Sequence, residues 1–390
     1  MKIGINGRFL THPYTGIGQY TKHLFLTLAR QNPDARFILV TPENVGIETP
    51  QNMEISTVRE NFPGTAGMRK TYWEQCQVPS FLKRKKVDLF HFPYPANPWR
   101  KLDKSVVVTV HDVIPWSEKA YRRQLSTRIY QNQCREALKH ADHIFTVSEA
   151  TKIELMGLDP FLPEEKISVA CNAPDPIFFL PLEENQKKSV LKKYGINPER
   201  KYIFYIGGFD ERKNVELLAD VFLNYIAPHY EIDLVLTGGK SIRSSLYGSF
   251  DRLTKLKHTG RVKALKGQLI LTGFVAEEDL SALYQSSFVF INLSKKEGCN
   301  LPLLEAAVSQ VPVIASDIPV HKEIAEDVAL FCPSDDGKVL ASLIIQLLTD
   351  KAFYQRQKQK LITYRCPFSW STTATKVMNI YRKLLKVNCG

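Results

Sequence analysis

The chain has 390 residues, 44% of them apolar and 24% charged, with 52 Lys and Arg against 40 Asp and Glu for a formal charge of +12. That length favours two domains over one, since single cores seldom grow past roughly 250–300 residues. No run of 18 apolar residues occurs, which excludes a membrane-spanning helix, and the fractions are those of a soluble globular protein. The positive excess is spread along the chain. It fits an anionic partner, a nucleotide, a nucleic acid or an acidic membrane surface, or else a solvated basic surface; of these, the motifs discussed below lead to the expectation of a nucleotide and no nucleic acid. Seven cysteines stand at 76, 134, 171, 299, 332, 366 and 389, none in a C-x-x-C pair. They read as reduced thiols and not as disulfides or a zinc site. Asn6, Arg8 and His12 interrupt any apolar leader at the start, so the expected location is cytoplasmic.

Short β-branched runs come first at 2–6, 36–41, 54–58, 87–92, 105–110, 143–147 and 166–170. Many are apolar throughout, as strands buried on both faces are. Helical stretches at 18–31, 67–84, 122–140 and 149–156 separate most of them. Strand–helix alternation predicts a parallel, doubly wound sheet. Residues 172–201, rich in proline and charge with one short helix, read as a linker. A second series follows at 202–207, 233–238, 269–273, 288–293, 311–316 and 328–332. The expected architecture is α/β: two Rossmann-like domains, 1–178 and 179–369, facing across a cleft, with a terminal helix at 370–390.

Ligands of open α/β sheets bind at the carboxyl ends of strands, so the residues after each strand carry the chemistry. The run 202–207 leads into Gly208-Phe-Asp-Glu-Arg212-Lys213-Asn. Glycine lets backbone approach a ligand, and paired cations near a helix start suit a diphosphate; a turn with a solvated basic pair is the plain alternative. The run 288–293 leads into Ser-Lys-Lys-Glu297-Gly-Cys-Asn300-Leu301-Pro-Leu-Leu-Glu305. Pro302 fits the first turn of a helix, which puts Glu297 in the loop before it and Glu305 about one turn inside. Two carboxylates flanking free amides suit a ligand with sugar hydroxyls at both ends and phosphate between. Glu305 also reads as a plain helix-dipole carboxylate. His111 ends the run 105–110, where it faces a ligand or serves the structure. No D-x-D occurs, so no metal is expected, and protein cations must meet any leaving phosphate.

The opening KIGING looks like the start of a glyceraldehyde-3-phosphate dehydrogenase. The nicotinamide fingerprint needs G-x-G-x-x-G directly after the strand. Here Gly7 is followed by Arg-Phe-Leu-Thr-His, and Gly16-Ile-Gly18-Gln-Tyr-Thr lacks the third glycine. The Ser-Cys-Thr-Thr-Asn motif of that enzyme is also absent.

Taken in order, several segments resemble the GT-B glycosyltransferases of family 4, the retaining nucleotide-sugar enzymes. They are the Gly16/Gly18 loop, HDVIP at 111–115, TVSEAT at 146–151, GGFDERKN at 207–214, LTGFVAEEDLSALY at 271–284, EGCNLPLLE at 297–305, PVIASDIPVHKEIAEDVALF at 312–331 and FSW at 368–370. The resemblance implies that Arg212 and Lys213 bind the donor diphosphate and that Glu305 accepts from the ribose. It implies that Glu297 holds hydroxyls of the transferred sugar, with backbone amides of Asn300 and Leu301 nearby. His111 would touch the sugar, Gly16 and Gly18 would let the first loop close on the diphosphate, Gly208 would line it, and Phe274 and Val275 would flank the base. It further implies a GDP- or UDP-linked co-substrate with mannose favoured, no other cofactor, and a glycan or lipid-linked acceptor. The terminal helix would cross back onto the first domain. The chain departs from the family at Cys299, usually aromatic, at Asn300, often glycine, and at Gln310, commonly glycine. Basic segments with aromatics at 68–86 and 119–135 fit peripheral contact with an anionic membrane, or ordinary helices with solvated basic faces. The rival readings are a nicotinamide-dependent dehydrogenase and a catalytically inactive sugar-nucleotide binder of the same fold.

Overall fold

A computed structural model describes residues 1–118, 124–238 and 265–387. The chain forms two units: residues 1–173 with 368–390, and residues 174–367.

The first unit carries strands β1 (Lys2–Asn6), β2 (Arg36–Thr41), β3 (Met53–Thr57), β4 (Leu89–Phe92), β5 (Ser105–Val110), β6 (His143–Thr146) and β7 (Ile167–Val169). Its sheet has the order β3-β2-β1-β4-β5-β6-β7, and every pairing is parallel. β4, β5 and β6 are buried at every position, as the continuous apolar runs require when both faces are covered. The predicted helix over 67–84 forms as one continuous helical run, with a π-turn inside it. Regular helices Ala66–Tyr72 and Val78–Arg84 flank a π-turn at Trp73–Gln77, which carries the buried Glu74. Its carboxylate accepts from Tyr94 at 2.6 Å and Tyr130 at 2.7 Å.

Helix Trp370–Val387 packs within this first unit, beside helix Gly16–Gln31. A buried relay fixes it: Tyr381 bonds His91 Nδ1, His91 Nε2 lies 2.9 Å from Thr109 Oγ1, and Thr109 lies 3.0 Å from the Tyr20 hydroxyl. Burial holds His91 neutral, its pKa pressed down to about 3, with the histidines at 111 and 143 adding to the effect.

The second unit carries β8 (Lys201–Ile206), β9 (Ile232–Thr237), β10 (Leu269–Gly273), β11 (Val289–Asn292), β12 (Val313–Ser316) and β13 (Ala329–Cys332). They form one parallel sheet in the order β10-β9-β8-β11-β12-β13. Its core runs from Ile203, Leu234 and Ile291 in the sheet to Leu218, Phe222 and Ile344 on the helices. In both units the strand order reverses beside the first strand, between β1 and β4 and between β8 and β11. Those crevices are where such sheets take ligands.

Two expectations need correction here. The stretch 172–201 is no free linker, and the boundary falls at Ala173/Pro174 and not at 178. Phe178 is buried against Tyr284, with ring centroids 5.6 Å apart. Leu191 on helix Glu184–Lys193 and Ile196 are buried too. The prolines shape a tight entry into the second unit. The return falls at Phe368, two positions before the expected 370. Gln310 stands at φ 59°, the left-handed region, where an L side chain costs roughly 1–2 kcal/mol that glycine does not. That is the backbone reason a glycine suits this position.

Candidate active site

The site is built at the switch crevice of the second unit, from the loop after β8 and the loop after β11. Gly207 follows β8 at φ +152°, and Gly238 follows β9 at φ +146°. A Cβ on Gly238 would lie 2.0 Å from Gly207 O, so these two backbones meet only as glycines. Gly208 comes next; its carbonyl accepts from the Tyr205 hydroxyl at 2.6 Å, which pins the turn. Glu211–Lys213 then form a short 3-10 turn ending at Asn214, φ 57°, whose side-chain amide bonds Ser334 O.

Arg212 and Lys213 are held against the second loop. Arg212 Nη1 donates to Glu297 Oε2 at 2.8 Å and to Lys296 O at 2.6 Å, while Lys213 Nζ donates to Glu297 Oε1. Lys295 N–H returns a bond to Arg212 O at 2.8 Å, and Asp210 Oδ1 lies 3.5 Å from Arg212 Nε. Burial pushes the Glu297 carboxyl up, but Lys213, Arg212 and the Ser294 hydroxyl outweigh it and bring the pKa down to about 2. Glu297 is therefore an anion between two cations. The two carboxylates differ in their partners: Glu297 bonds the cations, whereas Glu305 bonds a tyrosine. An ammonium has three donors, so Lys213 keeps two N–H groups beyond its bond to Glu297.

Helix Leu301–Val308 begins at the end of this loop with Pro302 in its first turn. Leu303 and Leu304 N–H both bond Asn300 O, at 3.1 and 3.3 Å. Proline brings no N–H, so the first-turn donor these bonds do not take up is Leu301 N–H.

Glu305, one turn on, accepts from the Tyr284 hydroxyl at 2.8 Å. Burial pushes its pKa up to about 7, the Tyr284 bond opposes this, and Glu277 and Asp175 add to it. Tyr284 is fully buried among Phe178, Phe204 and Phe290, so the carboxylate it aims is rigidly placed. Sequence reasoning missed Tyr284, although it closes the quoted segment LTGFVAEEDLSALY. Phe274 follows β10 with 53% of its surface exposed, while Val275 is buried at 4%. Of the two side chains, that of Phe274 is the exposed one.

The residues expected from the first unit lie at its own carboxyl edge. His111 follows β5; its Nε2 lies 2.9 Å from Pro93 O. A carbonyl only accepts, so Nε2 carries the ring proton and Nδ1 keeps its lone pair. Burial lowers the His111 pKa to about 4, against the bond to Pro93, so the ring is neutral and Nδ1 can accept a hydroxyl. Gly18 has a local explanation: a Cβ there would lie 2.3 Å from His12 O and 2.9 Å from Phe9 O. It lets the 8–15 turn close on the start of helix Gly16–Gln31, where Thr15 Oγ1 accepts from Gly18 N–H at 3.1 Å. A Cβ on Gly16 would meet nothing within 4 Å.

Residues 14–177 match the family model described as Glycosyltransferase Family 4, and residues 186–363 that described as Glycosyl transferases group 1. The O-antigen chain mannosyltransferase B of Escherichia coli is 25% identical, across 98% of this chain and 100% of that protein. The O-antigen chain mannosyltransferase RfbU of Salmonella typhimurium is 25% identical, across 85% of this chain and 86% of its own. Among solved structures, sucrose-phosphate synthase from Thermosynechococcus elongatus superposes with a TM-score of 0.74 at 20% identity, covering 99% and 100% of the two chains. Anabaena Alr3699/HepE, solved in complex with UDP, superposes with a TM-score of 0.69 at 15% identity, covering 98% and 100%. At such identities the structural likeness speaks for the fold, the two-domain GT-B architecture.

Proposed function

The chain belongs to the family 4 (group 1) glycosyltransferases, whose two models between them span most of its length, and on that premise we propose that it transfers mannose from a nucleoside-diphosphate sugar to a hydroxyl of a glycan or lipid-linked glycan. The observation that carries this reading is the Arg212–Glu297–Lys213 cluster at the β8/β11 switch point. Mannose is favoured because a mannosyltransferase is similar to this chain along its whole length. The reading places the activity in cell-surface polysaccharide assembly on the cytoplasmic side.

The chemistry breaks the bond between the anomeric carbon and the diphosphate oxygen, and forms a bond from that carbon to the acceptor oxygen. In our reading the acceptor attacks from the face the diphosphate leaves, with retention, and the departing phosphate takes the acceptor proton. Negative charge grows on the leaving diphosphate, where Arg212, the two spare N–H groups of Lys213 and Leu301 N–H would meet it as preorganised donors. Glu305 would accept from the ribose and Glu297 from the transferred sugar. His111 Nδ1 would accept from a sugar hydroxyl. No metal is required by this scheme.

A thermal-shift panel of GDP-mannose, UDP-glucose and NAD tests it. A ligand that binds only the native state adds about 2.7 kcal/mol at a hundred times its Kd, several degrees for a chain of this size. GDP-mannose is expected to raise Tm the most. A shift with NAD alone would return the dehydrogenase reading.

One surface favours a membrane-side acceptor. On helix Leu125–Ala137, Leu125 is 69% and Ile129 51% exposed, with Arg128 beside them. That stripe is interfacial in character. The 68–86 segment contributes less, because Trp73 and Glu74 are buried and Lys70 turns inward over the Tyr130 ring, 4.9 Å from its centroid. Residues 119–123 of the other basic segment lie outside the described residues. No described helix is long and apolar enough to cross a membrane. The protein should co-float with anionic liposomes at low salt, and Leu125→Ser with Ile129→Ser should abolish it; absence of flotation by the unaltered protein refutes the contact.

A further inference from the structure

The loop that carries Glu297 is tied at both ends to one short segment of chain. At its start, the Ser316 hydroxyl donates to Ser294 O at 2.5 Å. At its end, Asn300 Nδ2 lies 2.8 Å from His321 Nε2. His321 is in turn joined to Ser316, its Nδ1 lying 3.0 Å from Ser316 O. A carbonyl oxygen only accepts, so Nδ1 carries the proton, and Nε2 presents the lone pair that Asn300 Nδ2–H fills. Burial keeps the ring neutral, its pKa pressed down to about 4, and the charges that act on it are Glu297 and Lys213.

Asn300 gives up an ordinary role for this bond. An asparagine before a helix usually accepts from an N–H of the first turn. Asn300 stands at φ −117°, ψ 80° and makes no side-chain cap bond. Its amide nitrogen is turned to His321, and its Oδ1, though buried, has no partner among the described residues. His321 is itself wholly buried on helix Pro319–Ala325, and the proposed mechanism makes no use of it. A buried, tautomer-specific imidazole whose one lone pair holds the last residue of a ligand loop is a second-layer support, and such supports fix the geometry of the groups they back.

We infer that His321 is a positioning residue for donor binding: through Asn300 it holds the end of the 294–300 loop, and so sets Glu297 and Leu301 N–H against the nucleotide sugar. This rests on the reading under Proposed function. Arg212 and Lys213 hold the middle of the loop and Ser316 its start, and the Asn300–His321 bond holds its end. Displacements on the order of 1 Å at such groups cost up to about a hundredfold.

The test is calorimetric binding of GDP and of UDP to the full chain, with donor kinetics alongside. His321→Leu should weaken the nucleotide that the unaltered protein binds by about 10- to 100-fold, and KM for the corresponding nucleotide sugar should rise more than kcat falls. His321→Gln keeps an acceptor for the Asn300 amide and should recover part of the loss. In an Asn300→Gly background, His321→Leu should cost nothing more, because it acts through that amide. Should His321→Leu fail to fold, Asn300→Ala must still weaken binding. Unchanged affinity with only a lower Tm, or losses that add in the double variant, overturns the inference. Binding of neither GDP nor UDP by the unaltered protein overturns the functional reading with it; tight binding by both the unaltered and His321→Leu proteins overturns the inference alone.

Discussion

Lys213→Ala should lower kcat/KM for sugar transfer by about a hundred- to a thousandfold, with most of the loss in kcat. Lys213 is the cation with donors to spare. Its bond to Glu297 uses one N–H, and the other two are open to oxygens of a leaving diphosphate. A donor aimed at charge that develops only in the transition state is worth about that factor when removed, and its loss falls on kcat before KM. The fold should survive. Arg212 stays on Glu297 at 2.8 Å, so the buried carboxylate is not orphaned, and the cost is that of a charged hydrogen bond, about 1.5–3 kcal/mol. Lys213→Arg keeps the charge but spreads it over a planar fork in place of a compact ammonium, and should recover a small part of the rate. Rates and nucleotide affinity equal to those of the unaltered protein would remove Lys213 from the site.

The same ion cluster shows what the sequence displayed and what it hid. The strands were legible because they are continuous apolar runs, and such runs fit only a sheet covered on both faces; β1, β2, β5 and β10 occupy the predicted residues. Residue types at the strand ends were legible for the same reason, since the topology puts them in one crevice. The pairing was not. Glu297 lies 85 positions from Arg212 and 84 from Lys213, and no local pattern states that a carboxylate assigned to a sugar would first neutralise the cations assigned to the phosphate. Tyr284 and Glu305, 21 positions apart, pose the same problem. Asn300 was noticed as a departure from the family, but its partner His321 has no signal short of the fold.

Side-chain direction and backbone geometry add what residue order does not state. Of the adjacent Phe274 and Val275, one side chain faces out and the other in. Gly18 is required by the approach of His12 O within its own turn, a local need present whatever that loop closes on. Proline in 172–201 was read as a break between domains, but Phe178 and Leu191 bury themselves in the second unit. Composition marks where the chain bends; it does not tell which side of the bend has apolar anchors.

Glu305→Gln should separate the stability of the second unit from its affinity for nucleotide. Burial leaves the Glu305 carboxyl with a pKa of about 7, above the 4.5 it has in an unfolded chain. A raised pKa means the folded protein holds its proton longer than the unfolded one, so the favourable state is fully present below about 4.5 and is lost as pH rises through about 7. Glutamine cannot ionise and still accepts from Tyr284, so the variant should melt at a higher temperature than the parent at pH 8 and at about the same temperature near pH 4. Nucleotide binding runs the other way. Ribose hydroxyls donate, and a carboxylate accepts them better than a carboxylic acid or an amide does. In the parent, GDP or UDP affinity should be level above pH 7 and fall about tenfold by pH 6, with a proton released on binding in that range. The variant should bind more weakly at pH 8, by about 10- to 100-fold for a lost charged acceptor, and its affinity should show no slope between pH 6 and 8. A pH slope that persists in the variant would place the titrating group elsewhere, and an unchanged affinity at pH 8 would take Glu305 out of the nucleotide site.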